Sequence, residues 1–353
     1  GWERFDAMLC SVARYLADVL SSSVHSDVIL CQEAVRSDVF IMFLAERSEA
    51  GQLYEVLARG ISIAEDDTGD TSLMALQLGR GMITRRPAER TERAIYAGIL
   101  EARQDFHKRG QVLDEARLVE ARRALRDRSL VTLFQPIVSL PEREIFGFEA
   151  LTRGPTGSYL APAENFFGFA ERSGILGEVE QLCVDLALER AANLPARATL
   201  FVNLSNHGLE HFDSLGVSLA DLVERSVLSA DRCVLEITER TYAESQAALK
   251  DRVAELRRVG FRIAVDDMGT GYSALHVLAE LEPDFIKLSQ MLVRGLPSEP
   301  IKRNLVSAIT SFAGTSRSVV IAEGVEREDE MQTLMGLGVM LQQGFLFGHP
   351  AAI

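Results

Sequence analysis

From residue 149 onward, seven places in the chain carry polar groups that could act together: Glu149, Asn203, Glu236, the pair Asp266 and Asp267, Lys287, Glu323 and Gln343. Each lies at or just past the end of a short apolar run. Five carboxylates and an amide brought to one point would repel one another and resist desolvation. Hard cations relieve both problems. An all-oxygen set without Cys or His points to Mg²⁺ or Mn²⁺. Ca²⁺ can occupy the same cage, but its looser geometry positions water poorly, so it is expected to inhibit. Adjacent carboxylates such as Asp266 and Asp267 can hold two metals, which suits in-line attack on a phosphodiester. Arg153 could pair bidentately with a phosphate. The turn Gly269-Thr270-Gly271-Tyr272-Ser273 could bring backbone close to one. Taken singly, each has a plainer explanation. Glu149 could be a rim carboxylate, Asn203 a turn former, Asp266 a helix cap, Lys287 a snorkelling cation and Arg153 a surface salt bridge. Seven coincidences at seven run ends favour the joint reading.

Elements that could position these groups are legible around them. Eight β-branched or apolar runs occur at Leu130–Val138, Ile145–Leu151, Leu200–Leu204, Cys233–Ile237, Arg262–Val265, Phe285–Leu288, Val319–Ala322 and Leu341–Phe345. Helix-length material separates most of them. The fold class expected is α/β, a (β/α)8 TIM-like barrel, whose strand carboxyl ends converge on one face. The first two runs are joined by only a few residues around Pro141, so one barrel strand is expected to run antiparallel. Upstream lies a smaller α+β region. It has a helical segment from Phe5 to Leu20, then runs at Asp27–Cys31 and Val39–Ala45 separated by a polar turn, which reads as a hairpin. The expected division is 1–110 for this domain, 111–128 for a helical connector rich in Ala, Glu and Arg, and 129–353 for the barrel.

Composition narrows the partners. The chain has 353 residues, 47% hydrophobic and 25% charged, which suits about two globular domains. A net charge of −14 argues against a nucleic-acid polymer, which is bound through basic patches. It leaves room for a small phosphate ligand, because bound divalent metals reverse the local sign. Cys10, Cys31, Cys183 and Cys233 are widely spaced, without a CxxC pair, so they read as thiols in a reducing cytoplasm. No apolar run reaches the ~18 residues of a membrane span, and no basic-then-apolar leader is present. The chain opens at Gly1 and Trp2 inside a helical pattern, as a piece of a longer protein would, and upstream sensor or membrane segments stay open.

The motifs resemble a known family. Phe134-Gln135-Pro136 followed by Glu149-Ala150-Leu151-Thr152-Arg153 resembles the opening of EAL-domain cyclic di-GMP phosphodiesterases. The likeness continues through Val202-Asn203-Leu204-Ser205, Leu235-Glu236-Ile237-Thr238-Glu239 and Asp266-Asp267-Met268-Gly269-Thr270-Gly271-Tyr272-Ser273. It runs on through Asp284-Phe285-Ile286-Lys287, Ala322-Glu323-Gly324-Val325-Glu326 and Gln343-Gly344-Phe345-Leu346-Phe347-Gly348. The resemblance implies metal-dependent hydrolysis of cyclic di-GMP to linear pGpG. It makes Glu149, Asn203, Glu236 and Asp266 ligands of a first metal, with Asp266 bridging to a second held by Asp267 and Glu323. It places Lys287 on the attacking water or scissile phosphate, Glu323 as general base, and Gln343 in the metal–water network. Gln135, Leu151 and Arg153 would bind the dinucleotide, and Glu326 would face a guanine. Glu239 would anchor the loop after Asp267, which in this family couples homodimerisation to metal binding.

Ser289 stands where the family usually has Asp, and Met268 where it usually has Phe; neither is a metal ligand. The amino-terminal region resembles, more weakly, a degenerate GGDEF domain. Its hairpin turn reads Arg36-Ser37-Asp38-Val39-Phe40, without either glycine and with Val39 replacing an essential acid. Cyclase activity is not expected there. A docking module is, with a regulatory nucleotide or protein site as the alternative. For the barrel, the competing readings are a silent cyclic di-GMP receptor and a hydrolase of another phosphodiester.

Overall fold

The computed structural model describes residues 16, 19, 28–32, 40–44, 53, 56–57, 78–84, 90–205, 228–238, 246–269 and 274–353. The chain divides into two compact units, Gly1–Arg117 and Leu118–Ile353. In the first, β1 (Val28–Gln32) and β2 (Phe40–Leu44) pair antiparallel in the register Val28↔Leu44 to Gln32↔Phe40, as the two apolar runs led us to expect. Leu16, Leu53 and Leu57 form its small buried core. Of the expected Phe5–Leu20 helix, only Leu16 and Val19 fall among the described residues, and both are helical. A single 36-residue helix, α1 (Thr91–Arg126), carries the chain across the boundary between the units.

The second unit is a closed barrel. In chain order its elements are β3 (Val131–Ser139), β4 (Glu144–Arg153), α2 (Ala163–Arg172), α3 (Leu176–Arg190), β5 (Thr199–Asn203), β6 (Cys233–Thr238), α4 (Gln246–Val259), β7 (Arg262–Met268), α5 (Ala274–Leu281), β8 (Phe285–Leu288), α6 (Gln290–Val293), α7 (Pro300–Ser316), β9 (Val319–Ala322), α8 (Glu328–Gly336) and β10 (Leu341–Gln343). The strand order is β10-β3-β4-β5-β6-β7-β8-β9, closed on itself. β3 is antiparallel to both neighbours, β4 and β10, and the remaining neighbours are parallel. This is the expected barrel, with the expected reversed strand at the Pro141 hairpin.

Most strand bounds move by one or two residues from the sequence expectation, and two carboxyl ends bear on the site. β7 runs on to Met268 instead of stopping at Val265, which puts both aspartates inside a strand. β10 stops at Gln343 rather than Phe345. There Gly344 comes so close to Val325 that an added Cβ would lie 2.1 Å from its carbonyl oxygen. The Val325 N–H donates to Gln343 O and the Leu346 N–H to Val325 O, so the chain turns off around that residue.

Side chains on a strand alternate between faces, so residues two apart share the barrel interior in successive layers. One layer is apolar: Ile137, Phe201, Val234, Ala264, Phe285, Ile321 and Leu341 form one buried cluster. Phe201 and Phe285 meet edge to face at 5.2 Å, and Phe146 caps both. On β4 the corresponding position is Gly147, where a Cβ would stand 3.2 Å from the Phe201 ring and 2.4 Å from Thr199 O. Burial raises the thiols of Cys183 and Cys233 to about 12, so neither is reactive. Removing a fully buried ring from this layer with Phe201→Ala should destabilise the barrel by about 3–5 kcal/mol. Chemical denaturation measures it, and a loss below about 1 kcal/mol would contradict this packing.

Candidate metal and phosphate site

The next layer towards the carboxyl face is built by the same period of two. One step beyond the apolar layer, Gly147 leads to Glu149, Phe201 to Asn203, Val234 to Glu236 and Ala264 to Asp266. Phe285 leads to Lys287, Ile321 to Glu323 and Leu341 to Gln343; on reversed β3, Ile137 leads back to Gln135. The polar residues singled out in the sequence therefore form one ring on top of the hydrophobic layer. Gln135 pairs directly across from Glu149, and Asn203 from Glu236. Glu323 lies one residue past β9, and its N–H donates to Leu288 O, which holds it against β8.

Asp267 breaks the alternation. Its predecessor points inward, so Asp267 would ordinarily face away from the barrel axis. The register between β7 and β8 shifts between Val265 and Met268, and Asp267 adopts the left-handed region at φ 58°. Such a bulge re-aims a side chain. Single carboxylate oxygens of Asp266, Asp267 and Glu323 consequently lie within 4.8 Å of one another.

Lys287 occupies the middle of the ring and has no solvent exposure. Its ammonium lies 2.6 Å from Glu236 and 2.6 Å from Glu323, with Glu149 at 3.3 Å and Asp266 at 3.4 Å. Distance and direction disagree here. Lys287 Nζ, both Glu236 oxygens and Asp266 Oδ1 are buried without a hydrogen bond of acceptable geometry, and Gln343 Oε1 is also unpartnered. One ammonium has three protons and cannot serve four carboxylates in good geometry. Around it, Gln343 Nε2 donates to Glu149 Oε2 at 2.7 Å and to Gln135 Oε1 at 3.1 Å. Asn203 Nδ2 donates to Glu149 Oε1 at 2.8 Å, which leaves the amide oxygen as its remaining acceptor.

The electrostatics express the same crowding. Burial drives the Glu236 carboxyl well above its usual range, and Glu149 adds to the push. Burial and neighbouring Asp266 and Glu149 raise Glu323 to about 8, against the pull of Lys287. Burial and Asp266 raise Asp267. Burial would also raise Glu149, but Lys287 and the donors on Gln343 and Asn203 outweigh it, and the net shift is downward. Lys287 loses water on burial, yet the four carboxylates raise it well above an ordinary lysine. Five acids with one resident cation, several carboxylate oxygens unbonded and no soft ligand make a donor set that fits hard divalent cations.

The remaining expected site residues sit around this ring. Gln135 Nε2 donates to Gly348 O at 3.1 Å. Leu151 and Arg153 lie on β4 beyond Glu149, and the Arg153 guanidinium donates to Thr152 O at 3.0 Å rather than to a ring carboxylate. Glu326 Oε1 accepts from Gln290 Nε2 at 3.2 Å, a partner that no spacing in the sequence singled out. Glu239 and residues 270–273 of the glycine turn lie outside the described residues.

Comparison with known proteins follows the same outline. The EAL domain model matches residues 118–350. The chain is 31% identical over 237 residues to the probable cyclic di-GMP phosphodiesterase PdeG of Escherichia coli (strain K12), covering 65% of this chain and 46% of that protein. The PaMucR phosphodiesterase in its c-di-GMP complex superposes with a TM-score of 0.61 at 30% identity, over 66% of this chain and 96% of that one. For the Klebsiella pneumoniae BlrP1 manganese/cy-diGMP complex the TM-score is 0.58 at 31% identity, over 63% and 56%. The chain spans less than half the length of the curated relatives it matches. Motif order, barrel topology and the extent of the match agree: the chain belongs to the EAL-domain family.

Proposed function

We propose that the barrel hydrolyses cyclic di-GMP to linear pGpG with two divalent cations, Mg²⁺ or Mn²⁺. The observation that carries this reading is the single polar layer, in which carboxylates converge on Lys287 with their oxygens unsatisfied. Glu149, Asn203, Glu236 and Asp266 would hold one cation, and Asp266, Asp267 and Glu323 the other. Bound there, the cations supply Lewis acidity that activates water and offsets charge on the phosphate. Glu323 takes the proton of the attacking water, and Lys287 turns its ammonium to the phosphate oxygens. Gln343, tied to Glu149, orients the water network. Gln135, Leu151 and Arg153 contact the dinucleotide, Arg153 through a phosphate, and Glu326 with its partner Gln290 faces a guanine. Glu239 anchors the turn after Asp267. On this reading the protein works in the cytoplasm and the amino-terminal unit is a non-catalytic docking module. Among the described residues no helix is long and apolar enough to cross a membrane.

The direct test is turnover of cyclic di-GMP by the purified chain in Mg²⁺ or Mn²⁺. Conversion to linear pGpG that stops on chelation supports the proposal; tight binding without turnover supports a receptor instead. Asp266→Ala should abolish turnover, and near-normal activity in that variant would remove the bridging ligand. Arg153→Ala should raise KM about tenfold or more with a smaller change in kcat, because it loses a charge-assisted phosphate contact.

The metal-free barrel should also respond to pH in a defined direction. Glu323 rises from 4.5 unfolded to about 8 folded, so between those values the folded state binds the extra proton. Stability then falls as pH rises through that window and levels off above it. In chelator, the melting temperature should decline between pH 5 and 8, less steeply in Glu323→Gln; an equal slope in both would take Glu323 out of the effect.

A further inference from the structure

Outside the ring, two buried acids among the described residues have no part in the scheme above: Glu330, which accepts from the backbone N–H groups of Gly295, Glu326 and Arg327, and Glu180. Glu180 is 8% exposed on α3, among the buried Val179, Leu182, Cys183 and Val184. A carboxylate at such a position is held by hydrogen bonds or is costly. Ser205 Oγ donates to Glu180 Oε2 at 2.8 Å. Ser205 lies two residues past Asn203, where the last paired rung of β5 with β6 is Asn203↔Glu236. The intervening Leu204 N–H donates to Glu236 O at 3.0 Å. Three successive residues are therefore fixed to three different elements: the Asn203 side chain to β4 through Glu149, the Leu204 backbone to β6, and the Ser205 side chain to α3.

Asn203 is the neutral member of the proposed ligand set, and it is solvent-exposed at the last residue of its strand. A neutral amide brings little Coulombic attraction, so what it contributes to a cation depends on where its oxygen is held. We propose that Glu180 is a positioning residue that, through Ser205, fixes the exit of β5 and with it the Asn203 amide, and so sets cation affinity from the helical layer outside the barrel. This rests on the proposal that Asn203 is a metal ligand.

The test is calorimetric titration of Mn²⁺ into the chelator-treated full chain, with melting temperatures measured alongside. Ser205→Ala and Glu180→Leu should each weaken Mn²⁺ binding about tenfold, the loss typical when a partner that orients a metal ligand is removed. Glu180→Gln keeps an acceptor for the Ser205 hydroxyl and should bind Mn²⁺ like the wild type. The double variant Glu180→Leu/Ser205→Ala removes donor and acceptor together, so it should recover melting temperature relative to either single variant. It should not recover affinity, and its loss should match one single variant rather than the product of two. If affinity returns together with melting temperature, the pair is merely structural and the inference fails. It also fails if Asn203→Ala weakens binding while both single variants bind normally. An Asn203→Ala variant that binds Mn²⁺ normally would instead remove Asn203 from the cation site, and this inference with it.

Discussion

A lysine ammonium without solvent exposure, surrounded by carboxylates at 2.6 to 3.4 Å, is the interaction on which the barrel depends. Neither sign of charge would be tolerable there alone. A buried ammonium without acids would lose its proton, and five acids without a cation would repel or protonate. Removing one partner of such a group leaves an uncompensated charge, which is far costlier than the pair itself is stabilising. The compensation is also incomplete, because Lys287 cannot bond every oxygen it neutralises. That residual deficit is what bound hard cations would offset, and it connects the packing of the barrel to its proposed chemistry.

The rest of the barrel can be read as what holds that ring in place. Below it, the Phe146, Phe201 and Phe285 cluster closes the interior, and Gly147 leaves the room that Phe201 fills. The period of two then places one polar group per strand directly above. The reversed β3 contributes Gln135 by running the count backwards, so antiparallel pairing costs the site nothing. At Asp267 the alternation has to be broken, and the strand does so with a bulge and a left-handed residue. Where two adjacent acids must share a space, the strand takes on a strained backbone conformation.

Much of this was legible in the residues. Runs of β-branched and apolar residues separated by helix-length stretches located all eight barrel strands, and the short link around Pro141 announced the hairpin. The acids at the run ends were visible because each followed an apolar stretch that had to be buried. The bulge was not, since Asp266 and Asp267 look alike in sequence and only the β7–β8 register tells them apart. Nor was the end of β10, because Phe345 continues the apolar pattern while the approach of Gly344 to Val325 is a tertiary contact. Gln290 and Glu180 escaped for the same reason: their partners lie 36 and 25 residues away in the chain, and no local pattern links them.

If the acidic ring holds two cations as proposed, the metal content of the purified chain shows it. After equilibrium dialysis against Mn²⁺, elemental analysis of the wild-type chain should give about two equivalents, as a bridged two-metal site requires. The same measurement on Asp266→Ala should give a clear deficit, because on the proposed assignment the lost carboxylate would serve both positions. A wild-type chain that retains no Mn²⁺, or an Asp266→Ala chain that retains the full complement, would mean that the ring is not a bridged two-cation site.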